Sequence, residues 1–270
     1  MRKLVYVVLA LAAAACHRKV DVGNASGSLS RVQPITSPDD LVSAMHDRYA
    51  GTWYRNLTFA QKVTFLRPDG TTSRTETWYE AGALPGHLRI DIADPSRGNG
   101  VMYRADSVYS VQDGRVTDRR AGRNPLLLLG FDVYAQPVAR TIAQLRAERI
   151  DVNVLRTDTL YGKRAYVVGA GPTDATSNQF WVEADRLLFV RLIQTDTVHR
   201  PQGDTVRTRD VRFENYVQHG GGWVAERVRI LTAGRTSFEE EYSNVRVNVP
   251  IDDDFFIPEK WSTATHWFKP

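Results

Sequence analysis

From Asn178 to Val247 apolar and polar residues alternate over segment after segment, with turn residues between them, and nothing else in the 270-residue chain constrains the fold as strongly. In a strand successive side chains point to opposite faces, so a period of two means one dry face and one wet face. Between Asp204 and Gln218 the residues Val211, Phe213 and Val217 share one parity, with Arg212 and Glu214 on the other. Gly220-Gly221-Gly222 permits a tight reversal. Trp223 to Leu231 then sets Val224, Val228 and Ile230 against Arg227 and Arg229, and after Ala233-Gly234 the residues Phe238 and Tyr242 fall together in Arg235 to Val247. Three long strands joined by short reversals predict an antiparallel meander.

The first half has the same character. Leu57 to Arg67 alternates Leu57, Phe59, Val63 and Phe65 with Thr58, Lys62 and Thr64, and Gln61 interrupts the apolar parity. Pro68-Asp69-Gly70 turns the chain into Thr71 to Tyr79. His87 to Ala93 places Leu88, Ile90 and Ile92 on one face and Arg89 and Asp91 on the other, and shorter strands follow at 100–104, 107–112 and 115–118. Further strands are expected at 158–171, broken by Tyr161-Gly162-Lys163, and at 179–183 and 187–194. Helices are few. Ser37-Pro38-Asp39-Asp40 is a helix start, with a serine cap, proline in the first turn and acids at the positive end of the helix dipole. Leu41, Ala44, Met45, Arg48 and Tyr49 continue it at helical spacing toward Gly51. Asn124-Pro125 opens the run Leu126-Leu127-Leu128-Leu129-Gly130-Phe131, and Pro137 begins a second helix with Val138, Ile142 and Leu145 on one stripe. Four adjacent leucines cannot all face one side of a helix, so some must meet a second apolar surface or a ligand.

Composition narrows function by exclusion. Hydrophobic residues make up 42% and charged residues 24%, as in a globular β-rich domain rather than a disordered chain. The formal charge is +4, or +2 without Met1 to Ala15, and basic residues alternate with acids along strands, which argues against nucleic acid. The six histidines are scattered with no pair at metal-ligand spacing, so no metal or other cofactor is expected. Neither a phosphate-cradling glycine loop nor a Gly-x-Ser-x-Gly elbow is present, and Asp252-Asp253-Asp254 lacks the spacing of a calcium loop. The expectation is a protein without catalysis.

Met1 to Cys16 combines a basic start at Arg2-Lys3, a hydrophobic run from Leu4 to Ala12, and small residues before the only cysteine. The pattern resembles the bacterial lipoprotein signal, which implies removal of residues 1–15 and lipidation of Cys16; the alternative is an ordinary secretory signal with an incidental cysteine. His17, where an inner-membrane retention aspartate is absent, leans toward the outer membrane. Residues 16–37 read as a flexible tether and 38–270 as the folded domain.

Three stretches carry a wider resemblance: Met45 through Gln61, a helix followed by an aromatic strand; Asp158 to Val168 running on to Phe180-Trp181-Val182-Glu183-Ala184-Asp185-Arg186-Leu187-Leu188; and Ile251 to Trp261 with its Phe-x-x-Pro. Together they resemble the LolA/LolB-like periplasmic lipoprotein-carrier superfamily, the outer-membrane lipoprotein-sorting type. The resemblance implies a mainly β (α+β) domain, an open antiparallel half-barrel whose concave face is covered by helices. It implies an envelope protein facing the periplasm that binds a lipid or lipoprotein acyl chains, in lipoprotein or lipid transport. From strand parity the candidate ligand-binding residues are Phe59, Val63, Phe65, Leu88, Ile90 and Ile92, with Leu127, Leu128 and Phe131 as a cover over the groove. A second reading is an envelope sensor or assembly accessory whose half-barrel binds a partner protein.

Overall fold

The computed structural model describes residues 34–198 and 203–269; Cys16 and the signal and tether expected before residue 34 lie outside the described residues. The first helix, α1 (Pro38–Tyr49), starts as its sequence dictates: Ser37 Oγ accepts from Asp40 N–H while the Asp40 carboxylate accepts from Ser37 N–H. The strands are β1 (Asn56–Leu66), β2 (Thr72–Ala83), β3 (His87–Ile92), β4 (Gly100–Arg104), β5 (Ser107–Gln112) and β6 (Arg115–Ala121), then β7 (Leu155–Leu160), β8 (Lys163–Val168), β9 (Gln179–Glu183), β10 (Leu188–Val198), β11 (Thr205–His219), β12 (Gly222–Thr232) and β13 (Arg235–Val247). Between β6 and β7 come α2 (Pro125–Gly130) and α3 (Val138–Ala147).

All thirteen strands form one antiparallel sheet in the order β6-β5-β4-β3-β2-β1-β13-β12-β11-β10-β9-β8-β7. Within β1 to β6 and within β7 to β13 each strand pairs with its neighbour in sequence, and the two meanders are fused where β1 takes β13 as its second partner. The sheet is open, because its edges β6 and β7 do not pair. The chain between them has to travel from one edge of the sheet to the other, and α2 and α3 lie in that connection. Their apolar sides join one core with α1 and the inner faces of β8 to β12: Leu41, Met45, Leu128 and Leu145 pack with Phe180, Leu192, Phe213 and Val228. The fold is the open antiparallel half-barrel with helices on its concave face.

The opposite face is wet over β10 to β13 and β1. Asp210 bridges Arg191 and Arg212, Glu214 holds Arg229, Glu239 holds Arg227, and Lys62 meets Glu241 at 2.9 Å. Over β2 to β5 it is covered, and there the reading of strand parity is corrected. Arg89 and Asp91 do point away from Leu88 and Ile90, but they are buried, at 2% and 0% exposure, under the C-terminal segment. Arg89 Nε and Nη2 donate to Asp91 at 2.9 and 2.8 Å, and its guanidinium lies between the rings of Phe255 and Trp261. His266 Nε2 lies 3.2 Å from Asp91 Oδ2, while Phe268 packs on Tyr79. Aromatic residues far along the chain thus dry a face that strand periodicity assigns to water.

A second correction concerns Val217. Asn215 adopts φ +51°, and beyond it the parity of β11 switches: Tyr216 turns inward, donating its hydroxyl to the Phe189 carbonyl, and Val217 is exposed. At the β11–β12 reversal Gly220 takes φ +59°, and a Cβ on Gly221 would fall 2.1 Å from the Thr52 carbonyl, so the glycines also admit the segment after α1.

Candidate functional site

The concave face is built from cross-strand neighbours, which share a face of the sheet. On β1 the inward series is Leu57, Phe59, Gln61, Val63 and Phe65. Opposite it on β2 lie Glu80, Trp78 and Glu76, on β13 Tyr242, Glu240 and Phe238, and one strand further out Ile90 and Ile92 on β3 and Val228 and Ile230 on β12. The helices fill the half of this surface nearest β8 to β12. Toward the long hairpins the apolar lining runs on: Phe65, Trp78 and Phe238 form a half-exposed cluster with ring centroids 5.0 to 6.3 Å apart. Arg74 lies 3.5 Å from the Phe65 ring centroid at its rim.

Of the residues expected to bind ligand, Phe59, Leu88, Leu127, Leu128 and Phe131 come together in the main core, with Ile90 packed against it. Val63 is buried on the same face of β1, outside that cluster, and Phe65 and Ile92 are half-exposed toward the open end. Three of the four leucines, Leu127 to Leu129, are buried, and Leu126 is half-buried. Asn124 starts this short helix by accepting from the N–H groups of Leu126 and Leu127. Gly130 is explained by contact, for a Cβ there would approach the Phe213 ring to 3.0 Å. The cover reaches the other arm through Asp132, whose carboxylate oxygen accepts from Gly86 N–H at 3.0 Å. Burial pushes the Asp132 carboxyl up to about 7. Leu84 is half-buried against the core, so the β2–β3 turn presents no protruding apolar tip.

Parity reasoning did not collect the polar floor of the groove. Gln61 is fully buried, and among the described residues neither its Nε2 nor its Oε1 has a hydrogen-bond partner. Glu80, 7% exposed, and the half-exposed Glu240 flank it on the neighbouring strands, and Tyr242 donates to Glu240 at 2.9 Å. Burial raises both acids, Glu240 to about 7, and the charge of Glu240 adds to the rise at Glu80. The signal was present in the sequence, as acids standing at the apolar parity of β2 and β13. Phe59 stacks on Tyr242 at 4.3 Å and closes the floor.

Other hollows lie on the opposite face. One, about 560 Å³, lies beneath the β7–β8 turn, where Glu183 pairs with Arg186 and Glu214 with Arg229. The other, about 750 Å³, borders the C-terminal segment, and its Arg89 is consumed by Asp91. The concave groove differs from both in combining an apolar lining with an amide that has no hydrogen-bond partner among the described residues. Among the described residues no group of three or more His, Cys, Asp or Glu side chains is placed to hold a metal, and no helix is long and apolar enough to cross a membrane.

No family model matches the chain, and no curated protein matches its sequence. Solved structures do match in fold. A DUF1329 family protein from Desulfovibrio piger ATCC 29098 aligns over 81% of this chain and 95% of its own, with 15% identity and a TM-score of 0.51. LolA superfamily protein NE2245 from Nitrosomonas europaea aligns over 82% and 97%, with 13% identity and a TM-score of 0.44. A putative outer membrane lipoprotein-sorting protein domain from Vibrio parahaemolyticus aligns over 83% and 97%, with 12% identity and a TM-score of 0.44. At these identities the likeness is one of fold.

Proposed function

We propose that this protein is a lipid-anchored component of the cell envelope that holds a lipid, or the acyl chains of a lipoprotein, in its concave groove without catalysis and in the service of lipid or lipoprotein transport. The observation that carries the reading is the continuation of the dry face past the helices. Phe65, Trp78, Phe238 and Ile92 lie side by side and half-exposed where a soluble domain gains nothing by leaving them so. An acyl chain laid along them would remove that surface from water at about 25 cal/mol per Å². In this reading Phe59, Val63, Leu88 and Ile90 form the floor, and Leu127, Leu128 and Phe131 form the inner wall contributed by the cover. Cys16 would supply the anchor on the periplasmic side of the outer membrane, since two acyl chains hold a protein stably and one does not.

The test uses the full chain carrying Cys16→Ser and an uncharged apolar fluorophore, N-phenyl-1-naphthylamine. The fluorophore is expected to light up on binding, and Trp78→Ser with Phe238→Ser is expected to weaken uptake by about tenfold, the worth of one or two lost apolar contacts. Both positions are half-exposed, so the β-sheet circular dichroism should persist. Unchanged affinity in the variant would put the ligand elsewhere. A protein that takes up no apolar probe at all would favour a partner protein as the occupant of the groove.

A further inference from the structure

We propose that the open half of the groove is built for an amphiphile whose polar group is a cationic nitrogen, an alkylamine or an ammonium-bearing lipid, received by Glu80, Glu240 and Gln61 while its chain lies on Phe65, Trp78 and Phe238. The inference rests on the reading of the groove as an apolar-ligand site and goes beyond it by assigning the polar end.

Gln61 stands between Tyr242 and Trp78 in the cross-strand register, with Glu80 opposite Phe59 on one side and Glu240 opposite Val63 on the other. A buried amide with neither atom paired costs about 1–3 kcal/mol, and an alkyl chain passing over it would leave that cost in place. A ligand N–H would satisfy Gln61 Oε1. The sign of the ligand follows from the neighbours. Glu80 and Glu240 flank the amide in the register, while Arg74, the arginine at the rim of this groove, is held by Glu76 at 2.7 Å. An anionic head would meet two acids. A hydroxyl would gain a hydrogen bond and no charge interaction. A cationic nitrogen would gain both and would lie beside the stacked rings of Phe59 and Tyr242, whose faces attract cations. Burial holds both acids above the ordinary carboxylate range, Glu240 at about 7, and the charge of Glu240 adds to the rise at Glu80; a cation beside them favours their ionised forms, so binding releases protons to solvent. Calcium is a poor fit, since it takes about six to eight oxygen ligands and the floor offers few.

The experiment compares decylamine, decanol and decanoate, which share a chain length, as competitors of N-phenyl-1-naphthylamine on the full chain carrying Cys16→Ser. Decylamine is expected to compete at concentrations about tenfold lower than decanol, with decanoate weakest, as a desolvated ion pair implies. Glu240→Gln and Glu80→Gln should each erase the advantage of the amine and leave decanol unchanged. Because the wild-type comparison stands by itself, a misfolded variant does not remove the test. Dihexanoyl phosphatidylethanolamine and dihexanoyl phosphatidylglycerol separate the sources. Competition by the first alone makes the nitrogen that of a lipid headgroup, and competition by decylamine with neither lipid makes it that of a free amphiphilic amine. Equal competition by decylamine and decanol overturns the assignment while leaving the apolar groove standing. Failure of every chain to displace the probe overturns the groove reading, and the assignment with it.

Discussion

Replacing Asp132 by Asn should stabilise the protein more at pH 8 than at pH 5. Asp132 follows α2 at the point where the helical cover meets the β2–β3 turn, 4% exposed, and its carboxylate accepts from Gly86 N–H. Burial raises its carboxyl from the ordinary 3.8 to about 7; the Gly86 bond and the charge of Arg140 oppose that rise without cancelling it. Below the unfolded value both states hold the proton, so this contribution to stability is complete there. Between the two values only the folded state holds it, and stability falls by about 1.4 kcal/mol per pH unit until it levels off above the folded value. From pH 5 to pH 8 the wild type therefore loses about 3 kcal/mol through this one group. Asparagine does not titrate, and its Oδ1 still accepts from Gly86. The quantity to measure is the difference in unfolding free energy between Asp132→Asn and wild type, from urea titrations at several pH values. It should grow by that amount up to neutrality and be flat beyond. A difference independent of pH would mean that Asp132 is charged in the folded protein, and that the cover meets the turn through an ionised carboxylate.

Arg89→Ala should cost about 3–5 kcal/mol, because it strands the fully buried Asp91, whereas the paired change Arg89→Met with Asp91→Leu should cost far less, as seen by thermal unfolding. A loss under about 1 kcal/mol for the single change would show that the C-terminal segment leaves this pair in water. Leu128→Ser should remove at least the 2–5 kcal/mol typical of emptying a core leucine site, while Leu126→Ser, at the half-buried position, should cost about 1 kcal/mol. The Leu126 variant is thus the one in which fluorophore uptake reports on the cover without interference from unfolding.

Local periodicity revealed most of the strands, because alternation in β1, β3 and β12 is set by the same two-residue repeat that sets which side is dry. The helix start at Ser37 was equally legible, since capping is local chemistry. What escaped were consequences of contacts between residues far apart in the chain. The burial of Arg89 and Asp91 depends on Phe255 and Trp261, more than a hundred residues later, and no window around β3 contains them. The fusion of the two meanders through β1 and β13 is likewise a long-range pairing. Val217 was misplaced because a positive φ at Asn215 shifts the parity, and a lone asparagine within a strand gives little warning of it. The acids at 80 and 240 occupy apolar positions by count, and their meaning emerges only when the register brings them to either side of Gln61.

The central claim is that the concave groove holds an apolar ligand, and native mass spectrometry of the full chain carrying Cys16→Ser, purified without detergent, tests it most directly. A bound species of lipid mass is expected on the folded protein, lost from the Trp78→Ser, Phe238→Ser variant and restored to the wild type by added lipid. A wild-type spectrum showing only the bare chain, unchanged after incubation with lipid, would contradict it.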